Sequence, residues 1–179
     1  MKNVFVTTGS KQTQKLGEAL AKEISGGKII CLEGELGSGK TTFAQGFLKG
    51  LKVKGPYTSP TFTIIKHYCK EIPNPKFQIP NKSKKLKSKI QNVYHIDAYR
   101  VNSDDILNLG WEEIISDKRN IIIIEWADKI QKIIPKNCLW IKFEWVDLPR
   151  RLASLELGRS GQAGENKRKL TFIQHTVEH

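Results

Sequence analysis

An α/β fold of three layers, with helices on both faces of a mixed central sheet, is expected from this sequence on three grounds. Strand-like and helix-like stretches alternate through the first fifty residues, and a glycine-rich run joins one of those strands to one of those helices. Ile121-Ile122-Ile123-Ile124 is a β-branched run without alternation, which suits a strand covered on both faces. At 179 residues, 39% of them hydrophobic, the chain has one domain's length and enough apolar side chains for a closed core. A single domain over residues 1–179 is therefore expected.

Residues 3–7 centre on Val4-Phe5-Val6, a run that favours a short strand. Ser10 is expected to N-cap a helix in which Leu16, Leu20 and Ile24 recur at helical spacing until Gly26-Gly27 stops it. Residues 28–32 form a compact apolar strand, and a helix follows over 39–50. Extended segments at 61–68 and 92–97 flank a Lys/Pro stretch as hairpin arms flank a long tip. A short helix over 104–109 should follow a Ser103 cap, and residues 139–145 and 169–173 complete the set of strands.

The chain carries 30 Lys+Arg against 18 Asp+Glu, a formal net charge of +12. Two segments hold nearly all of it. Residues 66–89 contain eight Lys and one Glu, with Pro73, Pro75 and Pro80 among them; residues 150–169 contain six Lys+Arg and two Glu, with Gly158, Gly161 and Gly164. Both compositions resist regular structure, giving a Lys/Pro-rich insertion at about 69–91 and a flexible basic connection at about 150–168. The remainder is nearly neutral, so the folded core is not a general polyanion binder. The insertion has Phe77 as its one aromatic between 70 and 91, which leaves it without the stacking platform of sequence-reading RNA modules. A solvated tip and a salt-sensitive, sequence-tolerant nucleic-acid contact both stay open for it.

No apolar stretch approaches the roughly 18 residues of a membrane span, and the start lacks the apolar core of a secretion signal. Cys31, Cys69 and Cys138 are odd in number and far apart, which excludes a disulfide framework or a four-cysteine zinc site. A cytoplasmic location without membrane contact is expected.

Gly34-Glu35-Leu36-Gly37-Ser38-Gly39-Lys40-Thr41 fits the Walker A pattern, between an expected strand and an expected helix. Backbone N–H groups of such a loop and the helix N-terminus surround phosphate oxygens. Gly34, Gly37, Ser38, Gly39, Lys40, Thr41 and Thr42 are thus the candidate nucleotide-binding residues, and the domain should be P-loop NTPase-like. Lys40 would neutralise phosphate charge, and the Thr41 hydroxyl would ligate Mg2+. Such a site needs a further carboxylate at the end of a buried neighbouring strand. Glu125, directly after the four isoleucines, is placed there, although Asp is the usual residue. Asp97 ends another apolar strand in Tyr94-His95-Ile96-Asp97-Ala98-Tyr99-Arg100. It either faces the phosphates, pairs with Arg100 or caps the next turn. His95 reads as structural, because phosphoryl transfer at a P-loop rests on positioning and electrostatics. His175 and His179 make too weak a pair for a metal site.

Four segments in order, residues 34–42, Thr58-Ser59-Pro60-Thr61-Phe62-Thr63, residues 94–100 and Ile123-Ile124-Glu125-Trp126, resemble the TsaE (YjeE) family over about residues 5–145. That family is the small bacterial ATPase of tRNA threonylcarbamoyladenosine (t6A37) synthesis. The resemblance implies ATP and Mg2+ as ligands, with Thr41 and Glu125 on the metal and Asp97 needed for hydrolysis beside Lys40. It further implies a switch-like role for residues 58–63, a place for Trp126 beside the nucleotide, and an approach of Ser10 to the nucleotide. ATP hydrolysis would support turnover of a TsaB–TsaD complex that transfers the threonylcarbamoyl group, and the basic insertion would be the site of any direct tRNA contact. ATP is favoured over GTP because no guanine-reading Asn/Thr-Lys-x-Asp motif occurs. A small P-loop kinase and a basic nucleic-acid-binding P-loop protein are the alternatives. The kinase reading is weakened by a candidate lid with eight Lys and no Arg, since Lys lacks the bidentate geometry that clamps a transferring phosphate.

Overall fold

A computed structural model of the chain describes residues 2–24, 27–69, 92–146 and 167–174. The elements are β1 (Lys2–Thr7), α1 (Ser10–Glu23), β2 (Lys28–Gly34), α2 (Lys40–Gly50), β3 (Ile65–Cys69), β4 (Asn92–Asp97), α3 (Ser103–Asn108), α4 (Trp111–Ser116), β5 (Ile121–Glu125), a 3-10 helix (Ala127–Ile133), β6 (Leu139–Trp145) and β7 (Arg168–Gln174). The strands form one mixed sheet in the order β1-β7-β6-β2-β5-β4-β3. Its centre, β6-β2-β5-β4, is parallel, and β7, β1 and β3 are added antiparallel. The expected α/β fold with a mixed sheet is thus observed, and β3 and β4 pair as the expected hairpin arms.

The isoleucine run divides between two cores. Ile121 and Ile123 pack with Ile30, Leu32, Phe43 and Phe47 on the side of α1 and α2. Ile122 and Ile124 pack with Cys31, Ile106, Trp111 and Ile130 on the side of α3, α4 and the 3-10 helix. Helices on both faces make three layers, and they explain why β5 shows no polar alternation. Every β5 residue is buried, so the strand delivers Glu125 to the carboxyl edge of the sheet from a rigid centre.

Three local expectations are corrected. Ser10 is the first helical residue of α1; the N-cap is Gly9, in extended backbone and with no side-chain cap bond. Ser103 likewise lies inside α3, whose cap is Asn102, in a capping box with Asp105. The segment expected to be extended from residue 61 enters the sheet only at Ile65, because Pro60 O accepts from the N–H groups of Thr63 and Ile64 and closes a turn. The helix α4 and the 3-10 helix were not expected at all.

The buried face of α1 is Thr13, Gly17 and Ala21, while Leu16, Leu20 and Ile24 are only partly buried. Small residues are needed because α1 and α2 touch backbone to backbone. A Cβ on Gly17 would stand 2.4 Å from Phe43 O, and one on Gly46 2.1 Å from Gln14 O. Gly46→Ala should therefore lower stability by about 1–3 kcal/mol through overpacking, against the usual helix-propensity gain. A urea midpoint shifted downward at unchanged slope would show it; an unshifted midpoint would contradict the close contact.

Candidate functional site

The loop between β2 and α2 turns on three glycines with positive φ, Gly34, Gly37 and Gly39. Gly34 has φ +144°, and a Cβ there would stand 2.5 Å from Phe143 O; Gly39, the N-cap of α2, has φ +105°. This path wraps the loop around the Lys40 ammonium, which donates to Gly34 O at 2.7 Å and Glu35 O at 2.8 Å. The same ammonium lies 3.7 Å from the centre of the Trp126 ring. Ser38 is buried, and its Oγ has no hydrogen-bond partner among the described residues. An orphaned buried hydroxyl inside a loop of N–H donors fits a loop shaped for an anion.

Thr41, on the first turn of α2, donates its hydroxyl to Glu125 Oε2 at 2.6 Å. β4 and β5 are parallel neighbours in a register that sets Asp97 directly opposite Glu125. Both carboxylates therefore point to the face that carries α2, one strand apart. Asp97 is buried; its Oδ2 accepts from Thr61 Oγ1 at 2.5 Å and Ser59 Oγ at 3.2 Å, and its Oδ1 accepts the Tyr99 N–H at 3.0 Å. The two hydroxyls tie the loop of residues 58–63 to the strand end. The capping role weighed for Asp97 is thus realised together with its position at the cleft, while Arg100 lies over the Phe62 ring instead.

Leu36, Gly37, Gly39, Lys40, Thr41, Thr42, Thr61, Asp97, Tyr99, Glu125 and Trp126 line one open cleft of about 230 Å³. Lys40, Asp97 and Glu125 meet there, as do Thr41 and Thr42. Ser10 is exposed on the first turn of α1 and is not among the lining residues. The sequence marks Tyr99 only as part of the 94–100 segment, and Lys129 not at all. Lys129 lies over the Tyr99 ring at 4.7 Å and Tyr99 packs on Trp126 at 4.9 Å, so the three form one wall. Trp126 itself holds φ +59°, a conformation that β5 and the following 3-10 helix impose.

Hard oxygens of Thr41 and Glu125 meet at 2.6 Å, with the Asp97 carboxylate lining the same cleft and without any thiolate or a free imidazole, a donor set that suits Mg2+. Burial pulls the Lys40 ammonium below its ordinary value, while Glu125, Asp128 and Asp97 oppose the shift. The charged form is the one that attracts phosphate. Nucleotide affinity should accordingly fall as pH rises toward the usual Lys range, because Lys40 loses its proton below that range. Calorimetric titration across that range checks this; an affinity flat up to about pH 10 would contradict it.

The family model described as threonylcarbamoyl adenosine biosynthesis protein TsaE matches residues 7–152. The chain belongs to the TsaE family. Among its relatives, the tRNA threonylcarbamoyladenosine biosynthesis protein TsaE of Nostoc sp. is 35% identical over 136 residues, which cover 73% of this chain and 70% of that one. The Bacillus subtilis protein of the same name is 30% identical over 166 residues, covering 93% and 82%. The crystal structure of Bacillus subtilis YdiB superposes with a TM-score of 0.61 at 25% identity, covering 98% of this chain and 87% of that one. The match spans all four segments on which the resemblance was drawn. The insertion at about 69–91, apart from residue 69, and most of the connection at about 150–168 lie outside the described residues, as do His175 and His179. Among the described residues no helix is long and apolar enough to cross a membrane.

Proposed function

We propose that this TsaE-family protein is a Mg2+-dependent ATPase of tRNA threonylcarbamoyladenosine (t6A37) formation, hydrolysing ATP to support turnover of a TsaB–TsaD transfer complex. The observation that carries the reading is the convergence of Lys40 and Thr41 with Asp97 and Glu125 in one cleft beside the phosphate loop. Bound Mg2+ would be held by Thr41 and Glu125 and would supply charge neutralisation at the phosphate oxygens.

The chain's own residues divide the remaining work. The backbone N–H groups from Gly37 to Thr42 and the start of α2 orient the phosphates. Lys40 releases the carbonyls of Gly34 and Glu35 and turns its charge to the phosphates, which replace those dipoles with a stronger partner. Asp97 can orient a water molecule through the lone pair that remains on Oδ1, which takes only the Tyr99 N–H, while Oδ2 already holds both Thr61 and Ser59. The wall of Tyr99, Trp126 and Lys129 shields the cleft on one side and limits bulk water around the charges.

ATP labelled in its γ-phosphate tests the chemistry. The reading expects the label in inorganic phosphate, with Mg2+ required. Label on any acceptor other than water would instead support a kinase. For the basic segment, we propose a sequence-tolerant contact to tRNA phosphates. Deleting residues 73–89 should weaken tRNA affinity most at low salt; affinity unchanged at every salt concentration would reject that contact.

A further inference from the structure

His95 is completely buried, and its Nε2 lies 2.8 Å from Glu125 Oε1, itself 2% exposed. Glu125 is therefore gripped at both oxygens, Oε2 by the Thr41 hydroxyl and Oε1 by the imidazole. A carboxylate that accepts on both sides requires the ring to donate from Nε2. Nδ1 has no partner among the described residues, which agrees with the tautomer that leaves no buried N–H unpaired.

The placement follows from strand periodicity. His95 stands two residues before Asp97 on β4 and therefore on the same face, opposite Ile123 and diagonal to Glu125. It faces the hydrophobic layer under α2 that holds Val93 and Ile123, so nothing there competes for the ring. A polar side chain in that layer is costly unless it has a purpose that an apolar one cannot fill. Its one described hydrogen bond ends on the carboxylate assigned to the metal.

We propose that His95 is a positioning residue for Glu125: it holds Oε1 away from the cleft and thereby presents Oε2, next to Thr41, as the metal-facing oxygen. The inference rests on the reading of Thr41 and Glu125 as Mg2+ ligands. Outer hydrogen bonds to a metal ligand commonly account for 10- to 100-fold in metal affinity. His95 need not touch nucleotide, so its effect belongs to the divalent ion.

Binding of Mn2+, followed by electron paramagnetic resonance, to the protein saturated with a non-hydrolysable ATP analogue separates the possibilities. His95→Leu should weaken Mn2+ binding about 10- to 100-fold while leaving analogue affinity in EDTA unchanged. His95→Gln, whose amide N–H can reach Oε1, should restore Mn2+ binding to within about threefold of the natural protein. Where His95→Leu does not fold, His95→Asn takes its place with the same expectation, because its amide is too short to reach. Unchanged Mn2+ affinity in His95→Leu, or an equal loss in His95→Gln, would overturn the positioning role alone. Failure of the natural protein to bind Mn2+ with the analogue would overturn the metal site itself and this inference with it.

Discussion

Glu125→Gln should lower ATP hydrolysis by about two to three orders of magnitude while the protein stays folded and still binds nucleotide. The isosteric amide keeps an acceptor for the His95 N–H and a donor for the Thr41 oxygen, so both hydrogen bonds of the buried side chain survive. What disappears is the negative charge at the point where Thr41 and Asp97 also converge. A folded variant with undiminished Mg2+-dependent hydrolysis would remove Glu125 from the chemistry. Glu125→Ala is the less clean experiment, because it strands a buried imidazole and a hydroxyl at once.

Lys40→Ala should be as severe, about 10²- to 10³-fold in hydrolysis, and should weaken nucleotide binding as well. The ammonium is enclosed by two loop carbonyls and the Trp126 face, and only 4% of the residue is exposed. That enclosure also predicts the behaviour of Lys40→Arg. The guanidinium is larger and planar, and would have to fit a space shaped for a point charge between the loop and the ring. Charge alone should therefore not restore activity. Full hydrolysis by Lys40→Arg would show that the loop carbonyls and Trp126 do not shape the site.

Much of this site was legible from the sequence, for physical reasons that differ from residue to residue. Gly34 to Thr42 could be found because a loop of N–H groups around phosphate requires glycine at fixed offsets. Glu125 could be placed because four consecutive isoleucines commit a strand to burial, and the residue that follows must emerge at the sheet edge. Asp97 emerges by the same logic from β4. The pairing of His95 with Glu125 could not be read, since it depends on the register of two strands separated by α3 and α4.

Other features were hidden by local conflict. Leu16, Leu20 and Ile24 of the α1 segment do pack against the core, yet the backbone contact with α2 puts Thr13, Gly17 and Ala21 at the most buried positions. A small-residue stripe carries little hydrophobic signal, although its four-residue spacing matches that of Gly46 and Gly50 on the partner helix. Thr61, Phe62, Thr63 and Ile64 have β-type side chains that favour a strand, but two backbone hydrogen bonds to Pro60 O outweigh that preference and close a turn. This turn is what brings Thr61 and Ser59 onto Asp97, so local strand preference is overridden in a segment that shapes the cleft.

The most direct test of the central claim is the rate of phosphate release from ATP by the purified protein, with and without purified TsaB and TsaD and with and without Mg2+. The account predicts slow Mg2+-dependent release that rises strongly when both partners are present. Release that is indifferent to the partners, or none under any of these conditions, would contradict it.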